Sequence, residues 1–259
     1  MSPILEMQQA SFSFPHGSPL FSSLDFQIGA GDFTALIGPN GAGKTTLLHL
    51  LSGHFQPNSG RILLEGRSIA GYTSRERAAI LAAVPQNVFN PLPFTVEEVV
   101  SLGCLSRQGR FAGLARHDRK IVHDAIASLD LADLRHREFT HLSGGERQRT
   151  LIAAALAQQS RIIILDEPTS HLDIGHAAHL MKTLVRLNAE TGVTLLIISH
   201  DVQTVARFCP QTAILHAGKL IAQGPTAAVL VNPVLSQAYG TPLQIVADPI
   251  HQRPLIFSE

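Results

Sequence analysis

Hydrophobic positions along this chain follow three rhythms. From Leu5 to Phe14 and from Leu24 to Ile28 they alternate with polar ones over short stretches, the pattern of an antiparallel sheet with one wet face, and Arg61 to Leu64 is expected to join that sheet. Phe33-Thr34-Ala35-Leu36-Ile37 is a short apolar run that ends in Gly38, and the runs within Arg161–Asp166 and Val193–Ser199 lack such alternation; their continuous β-branched and Leu residues read as strands buried on both faces of a parallel sheet. After Lys44 the residues Leu47, Leu48, Leu50 and Leu51 recur at helical spacing, so a strand, a Gly-rich turn and a helix follow one another. Thr212 to Leu215 and Leu220 to Gln223 predict two later strands joined by a hairpin turn at Gly218-Lys219. Between about Asn87 and Thr150 the rhythm becomes helical, clearest at Val96–Leu102 and Arg119–Leu129. The order predicts an α/β domain with a small N-terminal β layer and an inserted helical segment.

Composition changes this picture in two respects. The 259 residues carry 20 Lys+Arg and 20 Asp+Glu, so the formal net charge is zero and no nucleic-acid partner is expected. Charged residues make up 15% and hydrophobic ones 45%, against about 25% charged in an average chain, which predicts surface covered by partners. The longest apolar runs, Leu151–Ala157 and Val193–Ile198, stop far short of the roughly 18 residues of a membrane span, so no crossing is expected. Met1-Ser2-Pro3-Ile4-Leu5-Glu6 has neither a basic start nor a sustained apolar core, and no secretory signal is read there. Cys104 and Cys209 are too few for a disulfide framework and are expected as packed thiols in a reducing cytoplasm.

Gly38-Pro39-Asn40-Gly41-Ala42-Gly43-Lys44-Thr45 matches the phosphate loop G-x-x-x-x-G-K-[ST] in full. Its glycines let backbone N–H groups aim at phosphate oxygens at the positive end of the next helix. Lys44 is expected to reach the β- and γ-phosphates, Thr45 to ligate Mg2+, and Thr46 to add a hydroxyl near the α-phosphate. Ile162-Ile163-Ile164-Leu165-Asp166-Glu167 supplies the complementary half. Asp166 ends an apolar strand and points its carboxylate at the rim where ligands of open α/β sheets bind, as a magnesium ligand; Glu167 is placed to polarise an attacking water. His176 and His179 are one turn apart on a helix, with no carboxylate or Cys cluster in sequence to make a metal site, and read as part of a solvated or interface face.

Leu142-Ser143-Gly144-Gly145-Glu146 resembles the signature motif of ATP-binding cassette (ABC) ATPases and precedes Asp166-Glu167 by about the family spacing. Gln86 in Val84-Pro85-Gln86 is similar to the Q-loop glutamine, Ser170-His171-Leu172-Asp173 to the D-loop, and His200 in Ser199-His200-Asp201 to the switch histidine. The resemblance implies a P-loop NTPase (RecA-like) core with an N-terminal antiparallel β subdomain and an inserted α-helical subdomain. It makes residues 1–259 one nucleotide-binding domain, with the insertion at about 87–150 and a C-terminal extension at about 226–259.

The same resemblance implies ATP and Mg2+ as cofactors, with Thr45, Gln86 and Asp166 as metal ligands. It assigns catalysis to Glu167, His200 and Gln86. Phe14 in Phe12-Ser13-Phe14 matches the aromatic that stacks on adenine, with Phe12 as the rival position. Ser143, Gly144, Gly145 and Glu146 are expected to face ATP held by a second copy of the chain, and Asp173 to help arrange that interface. Phe94 to Val100, Leu172-Asp173-Ile174-Gly175-His176 and the ending from Asp248-Pro249 to Arg253-Pro254-Leu255 resemble subunits that energise bacterial uptake of iron-siderophore complexes, haem and cobalamin. The partners so implied are a second copy, transmembrane permease subunits and, indirectly, a substrate-binding protein, at the cytoplasmic face of the inner membrane. An ABC ATPase for another substrate, or a non-transport one, is the alternative.

Overall fold

The computed structural model describes residues 2–86, 93–106, 115–170, 172–247 and 254–258. Asn87, where the helical region is expected to begin, His171 of the D-loop and the stretch 248–253 lie outside the described residues. In chain order the first strands and helices are β1 (Pro3–Ser13), β2 (Pro19–Gly29), β3 (Phe33–Ile37), α1 (Lys44–Leu51), β4 (Ser59–Leu64), β5 (Arg67–Ser68), α2 (Ser74–Ile80) and β6 (Leu81–Val84). Then come α3 (Val96–Leu102), α4 (Arg116–Ser128), α5 (Gly144–Ala157), β7 (Ile162–Asp166) and α6 (Ile174–Thr191). The chain closes with β8 (Thr194–Ile198), α7 (Val202–Phe208), β9 (Gln211–His216), β10 (Lys219–Pro225), α8 (Thr226–Val229), α9 (Asn232–Tyr239), β11 (Leu243–Ala247) and β12 (Pro254–Ser258). Two compact units result, Met1–Gly71 with Asn188–Glu259, and Tyr72–Leu187.

In the first unit an antiparallel sheet runs in the order β2-β1-β4-β5, and β10-β9-β3-β8 line up in that order. Strand β3 is parallel to both β8 and β9, and all five of its residues are buried, which explains its unbroken apolar run. Along β1 the buried side chains are Leu5 and Met7, then Ala10 and Phe12. The phase changes because Gln9, at φ 46°, bulges out of the ladder; Ser23, at φ 56°, does the same on β2 between Phe21 and Leu24. The β9–β10 turn is centred one residue earlier than expected. Lys219 already pairs with His216, and the two-residue loop is Ala217-Gly218, whose positive φ values of 45° and 73° match the strand twist. At the C-terminal end β11 and β12 form a separate hairpin, with β12 packed on α7, that the hydrophobic rhythm does not announce.

In the second unit β6 and β7 are parallel, and α3, α4 and α5 pack on one another as a helical layer. Helices α2, α3 and α5 each begin with a Thr or Ser whose hydroxyl accepts the N–H of a Glu three residues on, while that Glu accepts the cap's own N–H. Cys104 and Cys209 are buried free thiols, and burial pushes Cys209 well above its ordinary value. The expected α/β architecture, antiparallel N-terminal sheet and helical layer are all present. Among the described residues no helix is long and apolar enough to cross a membrane.

Candidate active site

Strand β3 delivers the chain into the phosphate loop, and α1 leaves it. Gly38 is buried at φ 151°, and a Cβ there would stand 2.0 Å from the Leu215 carbonyl oxygen on β9, so only glycine lets the loop turn off the sheet. Gly43 caps α1 at φ 101° with no side chain bonded to the first turn; a Cβ on it would stand 2.8 Å from the Phe21 ring. The amino end of α1 therefore combines backbone donors with the positive end of the helix dipole, a setting that favours an anion. Lys44 is buried, and its ammonium donates to the carbonyls of Gly38 at 2.7 Å and Pro39 at 3.0 Å. The charge is folded into the loop rather than extended into solvent. Thr45 is exposed and Thr46 half-buried in the first turn.

Two further residues of this unit bear on the site. His200 is exposed just beyond β8, between Ser199, whose N–H donates to the Leu36 carbonyl at 3.1 Å, and Asp201, which caps α7 through Thr204. Since β3 and β8 are parallel neighbours, the phosphate loop and His200 leave the same carboxyl edge of the sheet. The aromatic pair divides its tasks. Phe12 is 8% exposed and stacked on Phe55, centroids 5.5 Å apart, whereas Phe14 meets both rings edge-on and is 47% exposed. Only Phe14 presents an open ring face of that pair.

The second unit holds the acidic half. Asp166 is the buried last residue of β7, and Glu167 follows at φ 50°, a left-handed backbone that costs a non-glycine residue about 1–3 kcal/mol and fixes where its carboxylate leaves the chain. Ser170 holds that turn, donating to the Glu167 carbonyl from its N–H at 3.2 Å and its hydroxyl at 3.0 Å. Gln86 is half-buried two residues past β6, so it leaves the same edge of the β6–β7 pair as Asp166.

Ser143 is the exposed cap of α5. Its hydroxyl accepts the Glu146 N–H at 3.3 Å, and its own N–H donates to Glu146 Oε2 at 2.7 Å. That backbone donor, with the hydroxyl second, holds the Glu146 carboxyl below its ordinary range, so Glu146 serves the helix start. Gly144 is exposed and Gly145 half-exposed at the same helix end. Asp173 is an exposed cap of α6.

His176, placed by its sequence on a solvated face, is bonded to Asp173, and His179 sits 3.0 Å from Asp130; among the described residues no group of three or more His, Cys, Asp or Glu side chains gathers that could hold a metal. The role of Glu146 and the Asp173–His176 pair escaped the sequence reading, although the capping spacing S-x-x-E was there to be seen.

A buried strand, a glycine loop that admits no side chain at its first position, and a lysine folded into that loop define a nucleoside-triphosphate-binding protein of the P-loop class. The chain matches the ABC transporter family over residues 21–170. It is 37% identical over 234 residues to the ferric enterobactin transport ATP-binding protein FepC of Escherichia coli, covering 90% of this chain and 86% of that one. The hemin import ATP-binding protein HmuV of Rhodopseudomonas palustris is 37% identical over 267 residues, covering 100% and 96%. A solved structure named for an inward-facing conformation of a metal-chelate type ABC transporter matches with a TM-score of 0.85 at 29% identity, over 100% of this chain and 98% of that one. The chain belongs to the ABC transporter family and is an ATP-binding, ATP-hydrolysing subunit of it.

Proposed function

We propose that this chain energises inner-membrane uptake of a metal chelate, an iron-siderophore complex, haem or cobalamin. It works as one nucleotide-binding domain spanning 1–259, with a helical insertion at about 87–150 and a C-terminal extension at about 226–259. Two copies bind the cytoplasmic face of transmembrane permease subunits, which receive substrate from a binding protein. The carrying observation is the phosphate loop clenched on Lys44 in a chain that also caps α5 with the signature Ser143. The names of the two relatives, for ferric enterobactin transport and for hemin import, support the substrate class.

The residues fit ATP and Mg2+. Within the Gly38–Gly43 loop the space beside Gly41 is open, with nothing within 4 Å of a Cβ placed there, and Lys44 supplies the compensating charge. The Thr45 hydroxyl, the Asp166 carboxylate and the Gln86 amide are the hard oxygen donors that magnesium selects while keeping some of its waters. When bound, the ion neutralises charge on the β- and γ-phosphates. Phe14 offers its open face to adenine, and Thr46 a hydroxyl to the α-phosphate.

Glu167 takes a proton from water as the oxygen forms its bond to the γ-phosphorus, ADP departs, and His200 orients water and phosphate. Ser143, Gly144 and Gly145 of the second copy face the γ-phosphate, with Glu146 holding that helix start in shape, and Asp173 arranges the interface between copies.

Glu167→Gln is expected to keep ATP binding and lose turnover by about 10²–10⁴-fold. Uptake of radiolabelled iron chelates, haem and cobalamin is then compared in cells carrying the parent or Glu167→Gln. Loss of uptake for one class identifies the substrate; equal uptake of all three by both strains overturns the assignment, and an undiminished ATPase rate overturns Glu167 as the base.

A further inference from the structure

Between Leu172 and α6 the chain makes an unusual use of one carboxylate. Asp173 Oδ1 accepts the N–H of His176 at 2.9 Å, and the Asp173 carbonyl accepts the N–H of Ala177 at 2.8 Å, the ordinary bonds of a helix cap. In addition, His176 Nδ1 lies 2.7 Å from Asp173 Oδ2. A carboxylate only accepts, so Nδ1 carries the proton and donates it. Both oxygens are thereby held by one residue, and the carboxylate plane has a single orientation. The backbone N–H of His176, then its imidazole, also keep the Asp173 carboxyl below its ordinary range.

Packing does not supply this order. The side chain of Asp173 is 69% exposed and that of His176 55%, and the intervening Ile174 is 91% exposed. An exposed aspartate held by one capping bond is free to rotate its second oxygen; the imidazole removes that freedom. One turn on, His179 reaches away to Asp130 at 3.0 Å, so the two histidines of this face hold different carboxylates. A surface pair of this kind adds little to stability, yet pre-orienting a charged group lowers what must be ordered when a complex forms.

We propose that His176 is a positioning residue for ATP hydrolysis. It holds the Asp173 carboxylate in the one orientation that meets the ATP site of a second copy of this chain, so that closure of the pair finds the group already set. This rests on the reading above that Asp173 lies at the interface between copies.

The test uses the full chain with its permease and three variants, His176→Ala, His176→Asn and Asp173→Ala, with the parent as reference. Asparagine keeps an N–H donor at the place of Nδ1, while alanine removes it. For His176→Ala we expect kcat for ATP to fall about tenfold or more, the ATP dissociation constant of the isolated chain to stay within about twofold, and the melting temperature to be unchanged. His176→Asn is expected to recover most of kcat.

If Asp173→Ala lowers kcat and His176→Ala does not, the positioning role is overturned while the interface reading stands. If Asp173→Ala leaves kcat untouched, the interface reading fails and this inference fails with it. If His176→Ala lowers kcat together with the melting temperature and asparagine rescues neither, His176 serves only the helix cap, and the proposal is overturned.

Discussion

At the scale of single residues the site is decided by what side chains are missing and which faces are open. Gly38 and Gly41 both stand in one motif at positive φ, but a Cβ on Gly38 meets the Leu215 carbonyl at 2.0 Å, whereas nothing lies within 4 Å of one on Gly41. Gly41→Ala should therefore cost only about 1–3 kcal/mol of backbone strain, read as a small drop in melting temperature, while Gly38→Ala should displace the loop from β9 and abolish nucleotide binding. Equal melting temperatures for the two variants would contradict the close approach. The aromatic pair separates in the same way. Phe12→Ala removes a buried ring and should destabilise by about 3–5 kcal/mol in chemical denaturation. Phe14→Ala, at an exposed ring, should leave stability nearly unchanged and raise the KM for ATP. The sequence left Phe12 and Phe14 as rivals because both follow one polar alternation; the stacking of Phe12 on Phe55, forty-odd residues away in the chain, separates them.

At the scale of elements, helix starts in the second unit are written into the sequence as Thr73-x-x-Glu76, Thr95-x-x-Glu98 and Ser143-x-x-Glu146, and each forms as a reciprocal cap. Thr95→Ala should cost about 1 kcal/mol, measured as a lower denaturation midpoint, since the N–H of Glu98 loses its partner. The Glu146 carboxyl adds a pH dependence with a definite sign. Its folded value lies below the ordinary 4.5, so the unfolded chain binds the proton first. The stabilisation is complete above that value and is lost as pH falls through the depressed folded one. The stability gap between the parent and Glu146→Gln should therefore be widest near neutrality and close on acidification, as melting curves across an acid series would show. Strands were harder to read than helix starts. Bulges at Gln9 and Ser23 shift the buried phase by one residue, so a strict alternation cannot run the length of β1 or β2. Strand β6, four residues long, and the β11–β12 hairpin offer too short a rhythm to stand out.

At the scale of the whole molecule the low charge of the chain agrees with a subunit whose surfaces are covered by a second copy and a permease. On that reading Glu167→Gln saturated with ATP should sediment at twice the mass of the ATP-free chain, and Lys44→Ala should remain at the single mass under both conditions. A single mass for Glu167→Gln with ATP would remove the pairing. The motifs needed no tertiary structure to be found: phosphate loop, signature, Gln86, Asp166-Glu167 and His200 are each a local string, because the backbone turns and helix ends that carry them are made by consecutive residues. The apolar runs of β3, β7 and β8 were equally legible, since burial on both faces leaves no room for polar alternation. Tertiary structure alone decided the matters that depend on a neighbour far away in sequence. The carbonyl of Leu215 dictates glycine at 38, Phe55 covers Phe12 and leaves Phe14 open, and the strand pairing of β3 with β8 brings His200 to the carboxyl edge from which the phosphate loop departs. Such contacts form only when distant segments are packed, and a pattern read along one dimension holds no record of which segment lies beside which.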